Sequence, residues 1–153
     1  MESSGQCGSF EDKMRLFQQI CEEEGLKLTH QRLEILRELD KATDHPSVET
    51  IHKRVQARIP TISLDTTYRT LSTFERYGLV SKVLVHEDRA RFCNDPFSHH
   101  HLHCKSCREI EDFPWDKLDG VDLPAEIEKW GQISSKTLIL EGTCNKCLKQ
   151  ENK

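Results

Sequence analysis

The stretch Ser63-Leu-Asp-Thr-Thr-Tyr-Arg-Thr-Leu-Ser-Thr-Phe-Glu-Arg-Tyr-Gly-Leu-Val-Ser-Lys-Val-Leu-Val85 changes its periodicity once, at Gly78. Before the glycine, Ser63 offers a helix cap, and Thr67, Leu71 and Phe74 recur at helical spacing. After it, Val80, Lys82, Leu84 and His86 alternate with Ser81, Val83, Val85 and Glu87, which is the period of a strand. A turn over His86 to Arg89 and the return through Arg91 and Phe92 complete a hairpin. Upstream, Pro46 and Ser47 open another helix with Val48, Ile51 and Val55 inward, and Pro60 ends it. Two helices joined by the short turn Ile59 to Ile62 and followed by a hairpin predict a winged helix-turn-helix, with Ser63 to Tyr77 as the recognition helix. Its outward residues are Asp65, Tyr68, Arg69 and Ser72. Tyrosine and arginine suit thymine methyls, guanines and phosphates. A winged helix used for protein contact is the other reading.

Phe10, Met14, Phe17 and Cys21 mark a first helix that stops at Gly25, and Thr29 caps a second with Leu33, Leu36 and Leu39 on its stripe. Beyond Phe92 the chain reads as a ligand-rich β segment. Helical pieces follow at Asp116 to Asp119 and Pro124 to Trp130, then strands at Ile133 and Thr137 to Leu140 and a turn at Gly142. The predicted class is α+β. Residues 1–9 form a disordered tail, 10–88 a winged-helix DNA-binding domain, 89–148 a small metal-binding dimerisation domain, and 149–153 a C-terminal tail.

The 153 residues are 35% hydrophobic and 31% charged, and no apolar run approaches the ~20 residues of a membrane helix. Met1 to Phe10 has no basic-then-apolar ramp, so a secretory signal is not expected and the chain reads as cytoplasmic. There the seven cysteines stay reduced, and their spacing points to metal ligation before disulfides. Net charge is −4, which does not by itself suggest a nucleic-acid partner. Between Thr50 and Lys82, however, Lys53, Arg54, Arg58, Arg69, Arg76 and Lys82 face only Asp65 and Glu75. That is a basic patch able to meet phosphate or, equally, a solvated helical face.

Two Cys-x-x-Cys knuckles, Cys104/Cys107 and Cys144/Cys147, supply the four thiolates of a closed tetrahedral site, the arrangement of structural zinc. The 36 residues between the knuckles must themselves be folded. A redox role lacks its βαβ context, and haem attachment fails because Arg108 and Leu148 follow the second cysteines. A second cluster is Cys93, His99, His100, His101 and His103. In an extended segment His99, His101 and His103 share a face and His100 takes the other. A fourth ligand can come from His45 or Asp112, and a surface histidine run is the plain alternative. A ligand set drawn from both halves of the chain would act as a switch.

The order of these features resembles the ferric uptake regulator family of metal-sensing bacterial transcription regulators, from about Phe10 to Cys147. The matching stretches are Gly25-Leu-Lys-Leu-Thr-His-Gln-Arg32, His45-Pro-Ser, Ser63-Leu-Asp-Thr-Thr-Tyr-Arg69, Gly78-Leu-Val, Arg91-Phe92, His99-His-His-Leu-His-Cys-Lys-Ser-Cys107 and Gly142-Thr-Cys-Asn-Lys-Cys147. The resemblance implies a homodimer that binds AT-rich inverted repeats in double-stranded DNA, usually as a metal-dependent repressor. It also implies a four-cysteine structural zinc and a sensory metal at the hinge. Tyr68 and Arg69 match its DNA-contacting pair, and Arg32 matches a phosphate-contacting position.

Iron and peroxide sensors of the family place a carboxylate at Cys93, whereas its zinc-uptake branch places a cysteine there, six residues before the first ligand histidine. Ser81 stands where some zinc sensors carry another ligand, and His45 matches a ligand of the iron and peroxide branches. The expected sensory set is therefore His45, Cys93, His99 and His101, with Asp112 as spare acceptor or fifth ligand. It selects zinc, with Fe²⁺ or Mn²⁺ as alternatives. A third family site aligns with Ser98, His100, Asp119 and Lys136, and is expected to be absent. From other classes, a zinc enzyme with Glu109 or Glu111 as base and a metal-buffering protein are the competing readings; no His-Glu-x-x-His pattern supports the enzyme.

Overall fold

The computed structural model describes residues 9–84, 89–95 and 99–151. The chain forms two compact units, 1–97 and 98–153.

In the first unit, α1 (Phe10–Glu24) begins at Ser9, whose hydroxyl accepts from the Asp12 N–H while the Asp12 carboxylate accepts from the Ser9 N–H. This capping box satisfies two backbone donors that the helix itself leaves open. The helix ends at Gly25, where a φ of 67° is left-handed and suits a residue without Cβ. Helices α2 (His30–Lys41), α3 (Val48–Gln56) and α4 (Leu64–Arg76) start at the predicted caps Thr29, Ser47 and Ser63, each accepting from the N–H three residues on. Strands β1 (Ser81–Val83) and β2 (Arg91–Cys93) pair antiparallel with Ser81 opposite Cys93, giving the wing. The predicted wing turn falls largely on 85–88, outside the described residues.

The core of this unit joins Phe17, Ile35, Leu36, Leu39, Ile51, Val55, Leu71, Phe74 and Leu79. Phe17 of α1 meets Phe74 of α4 edge to face, with centroids 5.1 Å apart. The first helix therefore packs directly on the recognition helix. The boundary between the compact units falls after Phe97 rather than after residue 88. The reason is pairing: β2 bonds to β1, and the Phe92 N–H donates to the Pro46 carbonyl at 3.0 Å.

In the second unit, β3 (His100–Cys104) is central, with β4 (Ile110–Phe113) antiparallel on one side and β5 (Ile139–Gly142) parallel on the other. The short helices α5 (Asp116–Asp119) and α6 (Ala125–Glu128) lie in the connection that brings β5 back parallel. Two expectations shift here. The last strand is Ile139–Gly142, so Gly142 is in the ladder rather than a turn, and Ile133 lies outside any named strand. Residues 145–151 form α7 (Asn145–Glu151), so the predicted tail is helical through Glu151. The Leu148 N–H donates to the Cys144 carbonyl and starts that helix on a cysteine.

Ion pairs tie α2 and the loop after it to α3 and the turn that follows it. Arg58 donates to Glu34 at 2.6 Å and Glu38 at 2.8 Å, and Arg54 grips Asp44 through two bonds of 3.1 and 2.6 Å. Burial pushes the Glu34 carboxyl up, but the Arg58 hydrogen bond and the Arg37 and Arg58 charges outweigh it and hold it below its ordinary value. The Arg54 bonds hold Asp44 low as well. Carboxyls lowered by folding contribute stability above their unfolded values of about 4, and that stability is lost as pH falls through the lowered values. Arg58→Ala should therefore cost about 1–2 kcal/mol at pH 7, because it strips a buried carboxylate of one partner, and progressively less as pH falls below about 4. Urea unfolding followed through the Phe17 and Phe74 ring signals by NMR reads both values.

Candidate metal centres and nucleic-acid interface

The four-cysteine cluster is built by strand register. β3 ends at Cys104, opposite Gly142 of β5, and the Lys105 N–H donates to the Gly142 carbonyl at 2.8 Å. This places Cys144, two residues past β5, beside Cys104, and its N–H donates to the Cys104 sulfur at 3.3 Å. The first knuckle closes through Arg108, whose φ of 65° is left-handed and whose N–H donates to the Cys104 carbonyl at 2.9 Å. Cys147 enters from α7.

All four sulfurs lie within 4.8 Å of one another. The Cys104–Cys147 and Cys107–Cys144 separations are 3.9 and 3.8 Å. A tetrahedral ion with metal–sulfur bonds of about 2.3 Å has ligand–ligand edges of about 3.8 Å, so the donor set fits a four-thiolate metal. Backbone N–H groups of Cys107 and Cys144 hold the Cys104 thiol down to about 6, whereas the Cys144 sulfur and burial push Cys147 up to about 12. Crowded sulfurs cannot ionise together without a cation.

The predicted sensory ligands form two groups. In the second unit, His101 on β3 stands opposite Asp112 on β4, and His99, two residues earlier, shares its face. The Nε2 atoms of both histidines lie 3.2 Å from one Asp112 oxygen, and the two rings meet edge to face at 4.6 Å. In the first unit, His45 and Cys93 are both buried, with their ligand atoms within 4.8 Å. His45 has a φ of 49°, a strained backbone for a residue with a side chain. The Arg91 guanidinium holds it by donating to the carbonyls of Asp44 and His45, and Arg91 and Ser47 form an isolated bridge. Arg91 was legible only as part of a motif, since nothing in the sequence shows which carbonyls it reaches.

The other histidines have different work. His103 shares the His101 face but pairs through Nδ1 with Glu141 at 3.2 Å. His100 points to the opposite face as expected. Its Nδ1 accepts from the Leu138 N–H at 3.1 Å, and its Nε2 lies 3.2 Å from Asp119. Of the residues aligned with the third family site, a site expected to be absent, His100 and Asp119 meet, Lys136 donates to the Val121 carbonyl, and Ser98 lies outside the described residues. Neither carboxylate considered as an enzymatic base joins Asp112. Glu109 pairs with Lys146 at 3.2 Å, and Glu111 stands opposite Leu102, on the other face of the sheet.

On α4, Tyr68 is 58% exposed, and Asp65, Arg69 and Ser72 share its outward face. Asp65 forms an ion pair with Arg69, its carboxylate 2.9 Å from Nε, a pairing the helical spacing allowed but the sequence reading did not use. His52 of α3 meets the buried Thr67 hydroxyl at 3.2 Å, which links the two helices of the motif. Arg32 is half-buried, and its guanidinium donates to the Lys27 carbonyl at 2.7 Å. The basic patch is smaller than its count, because Arg54 and Arg58 are engaged by acids from α2 and from Asp44.

The ferric uptake regulator family model matches residues 23–140. The peroxide operon regulator of Bacillus subtilis is 32% identical over 130 residues, covering 85% of this chain and 90% of that protein. Among solved structures, the Helicobacter pylori ferric uptake regulator, reported with three functional metal-binding sites, superposes with a TM-score of 0.80 at 20% identity, over 93% of this chain and 95% of that one. The Vibrio cholerae ferric uptake regulator gives a TM-score of 0.65 at 29% identity, over 82% and 98%.

Cys107→Ser should remove one metal equivalent per chain by elemental analysis. It should also weaken the circular-dichroism signal of the folded chain, since the knuckles tie α7 to the ends of the β3–β5 ladder.

Proposed function

The chain belongs to the ferric uptake regulator family, and from that premise we propose that it is a zinc-responsive repressor of metal-uptake genes. It binds AT-rich inverted repeats as a homodimer when its sensory site is filled. The observation that carries the choice of metal is Cys93, a buried thiol beside His45. Thiolate and imidazole donors favour zinc over the hard, oxygen-preferring ions. The proposed sensory set is His45, Cys93, His99, His101 and Asp112, and the four cysteines hold a structural zinc. A bound divalent ion supplies the bond energy that makes one arrangement of its ligands more stable than the others.

The protein's own residues connect ligation to DNA. His45 precedes Pro46 and Ser47, and Ser47 caps α3. Arg91 fastens the same carbonyls to the wing strand that ends in Cys93. Whatever fixes His45 and Cys93 therefore fixes the start of α3 and the wing together. From α3, the His52–Thr67 contact reaches α4. Tyr68 and Arg69 present base-contacting groups, and Arg32 a phosphate contact. Self-association is supported by apolar side chains left open on the second unit, Trp130 at 80% exposure and Leu140, Val121 and Leu123 among them. A twofold dimer matches an inverted repeat. Among the described residues no helix is long and apolar enough to cross a membrane.

One observation favours a second reading within the family. The B. subtilis relative is a peroxide operon regulator, and Asp112 gives this site an oxygen donor that iron or manganese accepts well.

Anisotropy of a labelled duplex from the gene's own upstream region separates the two. Protein keeping its structural metal should bind about 5–150-fold more tightly with buffered Zn²⁺ than without, and Cys93→Ser should erase that gain. Binding restored by Fe²⁺ or Mn²⁺ under anaerobic conditions, but not by zinc, would move the protein to the iron or peroxide branch.

A further inference from the structure

We propose that Asp65 is a specificity-determining residue that positions Arg69 to read a guanine in each half-site. This rests on the reading of α4 as a DNA-recognition helix. The Asp65 carboxylate holds the Arg69 Nε at 2.9 Å, and both side chains stand out from the helix, 69% and 80% exposed.

Such a pair adds little to folding, because solvent screens it and two long side chains lose freedom. Its effect lies in which side of the guanidinium it attracts. With the carboxylate drawn to the Nε side as an ion pair, the two terminal nitrogens form the outer edge of the guanidinium. That edge presents the parallel N–H groups that guanine O6 and N7 accept. Arginine otherwise carries large rotamer freedom into any contact.

The support beneath the pair is rigid. The Thr73 hydroxyl donates to the Arg69 carbonyl at 2.9 Å. In the first turn, Ser63 caps Thr66, and the Thr67 hydroxyl donates to the Ser63 carbonyl at 3.2 Å while facing His52. Asp65 thus projects from a turn held both by its own cap and by α3.

Charge supports the same assignment. A carboxylate on the face that meets DNA opposes binding to a polyanion. If Arg69 served only to contact phosphate, Asp65 would cancel it. As a neutral pair with one free edge, the two residues give up sequence-independent attraction and keep base readout.

The test is selection from a library of duplexes with a randomised core, using the full chain loaded with Zn²⁺ and, in parallel, anaerobically with Fe²⁺ or Mn²⁺. Wild-type protein should select a guanine at one position per half-site, identified as the position whose preference Arg69→Lys abolishes. Asp65→Ala should lower the guanine preference there by about tenfold and leave the other positions unchanged. The same variant should bind random-sequence DNA more tightly, with a steeper salt dependence. Asp65→Asn, which keeps a neutral acceptor for Nε, should recover part of the preference. Retention of the wild-type preference by Asp65→Ala overturns the proposal, as does an even loss across all positions, or a base other than guanine at the Arg69 position. If wild-type protein enriches no sequence with any of the metals, the DNA-binding reading falls and the proposal falls with it. That failure is distinct from enrichment that ignores Asp65.

Discussion

Four sulfurs within 4.8 Å of one another form a charge problem that only a cation resolves, and the second unit is organised around it. Its described residues bury little hydrocarbon. Cys104 and Ile110 are its buried apolar residues, and His100, His101 and His103 are buried with them. The large apolar cluster belongs to the first unit. A small sheet with so thin a core needs a staple, and a metal held by knuckles on β3, β5 and α7 is one. His101 stands on the β3 strand that ends at Cys104, and His99 lies just before it. Their alignment with Asp112 follows from the β3–β4 register, and the Cys104/Cys107 knuckle lies between those two strands.

The first unit solves its positioning differently. Its hydrocarbon core sets the helices, and a guanidinium sets the backbone at His45. Holding His45 at a left-handed φ costs on the order of 1–2 kcal/mol, and the two carbonyls that Arg91 engages offset it. The same arginine lies in β2, so the loop before α3 and the wing move as one body. Ligands placed on strained backbone and braced by a buried or half-buried cation are preorganised rather than floppy.

What could be read in the sequence was whatever depends on local chemistry. Ser47, Ser63 and Thr29 are caps because hydroxyls satisfy open N–H groups, and Gly25 and Gly78 terminate helices because both need positive φ. The cysteine knuckles and the His99/His101 face are likewise fixed by spacing. What could not be read depends on partners far along the chain. The polar run from Lys149 resembles a tail, yet α7, which starts beside Cys144, continues as far as Glu151. Gly142 resembles a turn, but its carbonyl is needed by Lys105 in a parallel ladder. His103 shows the same ligand chemistry as His101, and only the position of Glu141 tells them apart.

The charge count failed for the same reason, and its failure bears on how this protein engages DNA. Arg54 and Arg58 belong to the basic stretch by sequence, but Asp44, Glu34 and Glu38 neutralise them from outside it. Arg69 is itself paired with Asp65. What remains on a chain of net charge −4 is a small positive surface, so the sequence-independent attraction that dominates many DNA-binding proteins is weak here. Affinity then depends more on the geometry with which the helices are presented to base edges. That requirement makes binding sensitive to anything that sets the position of α3, α4 and the wing. A protein with strong phosphate attraction would stay on DNA whatever its metal state. One that has internalised its cations can be released by a small change in ligand geometry, which is what a metal-responsive regulator needs.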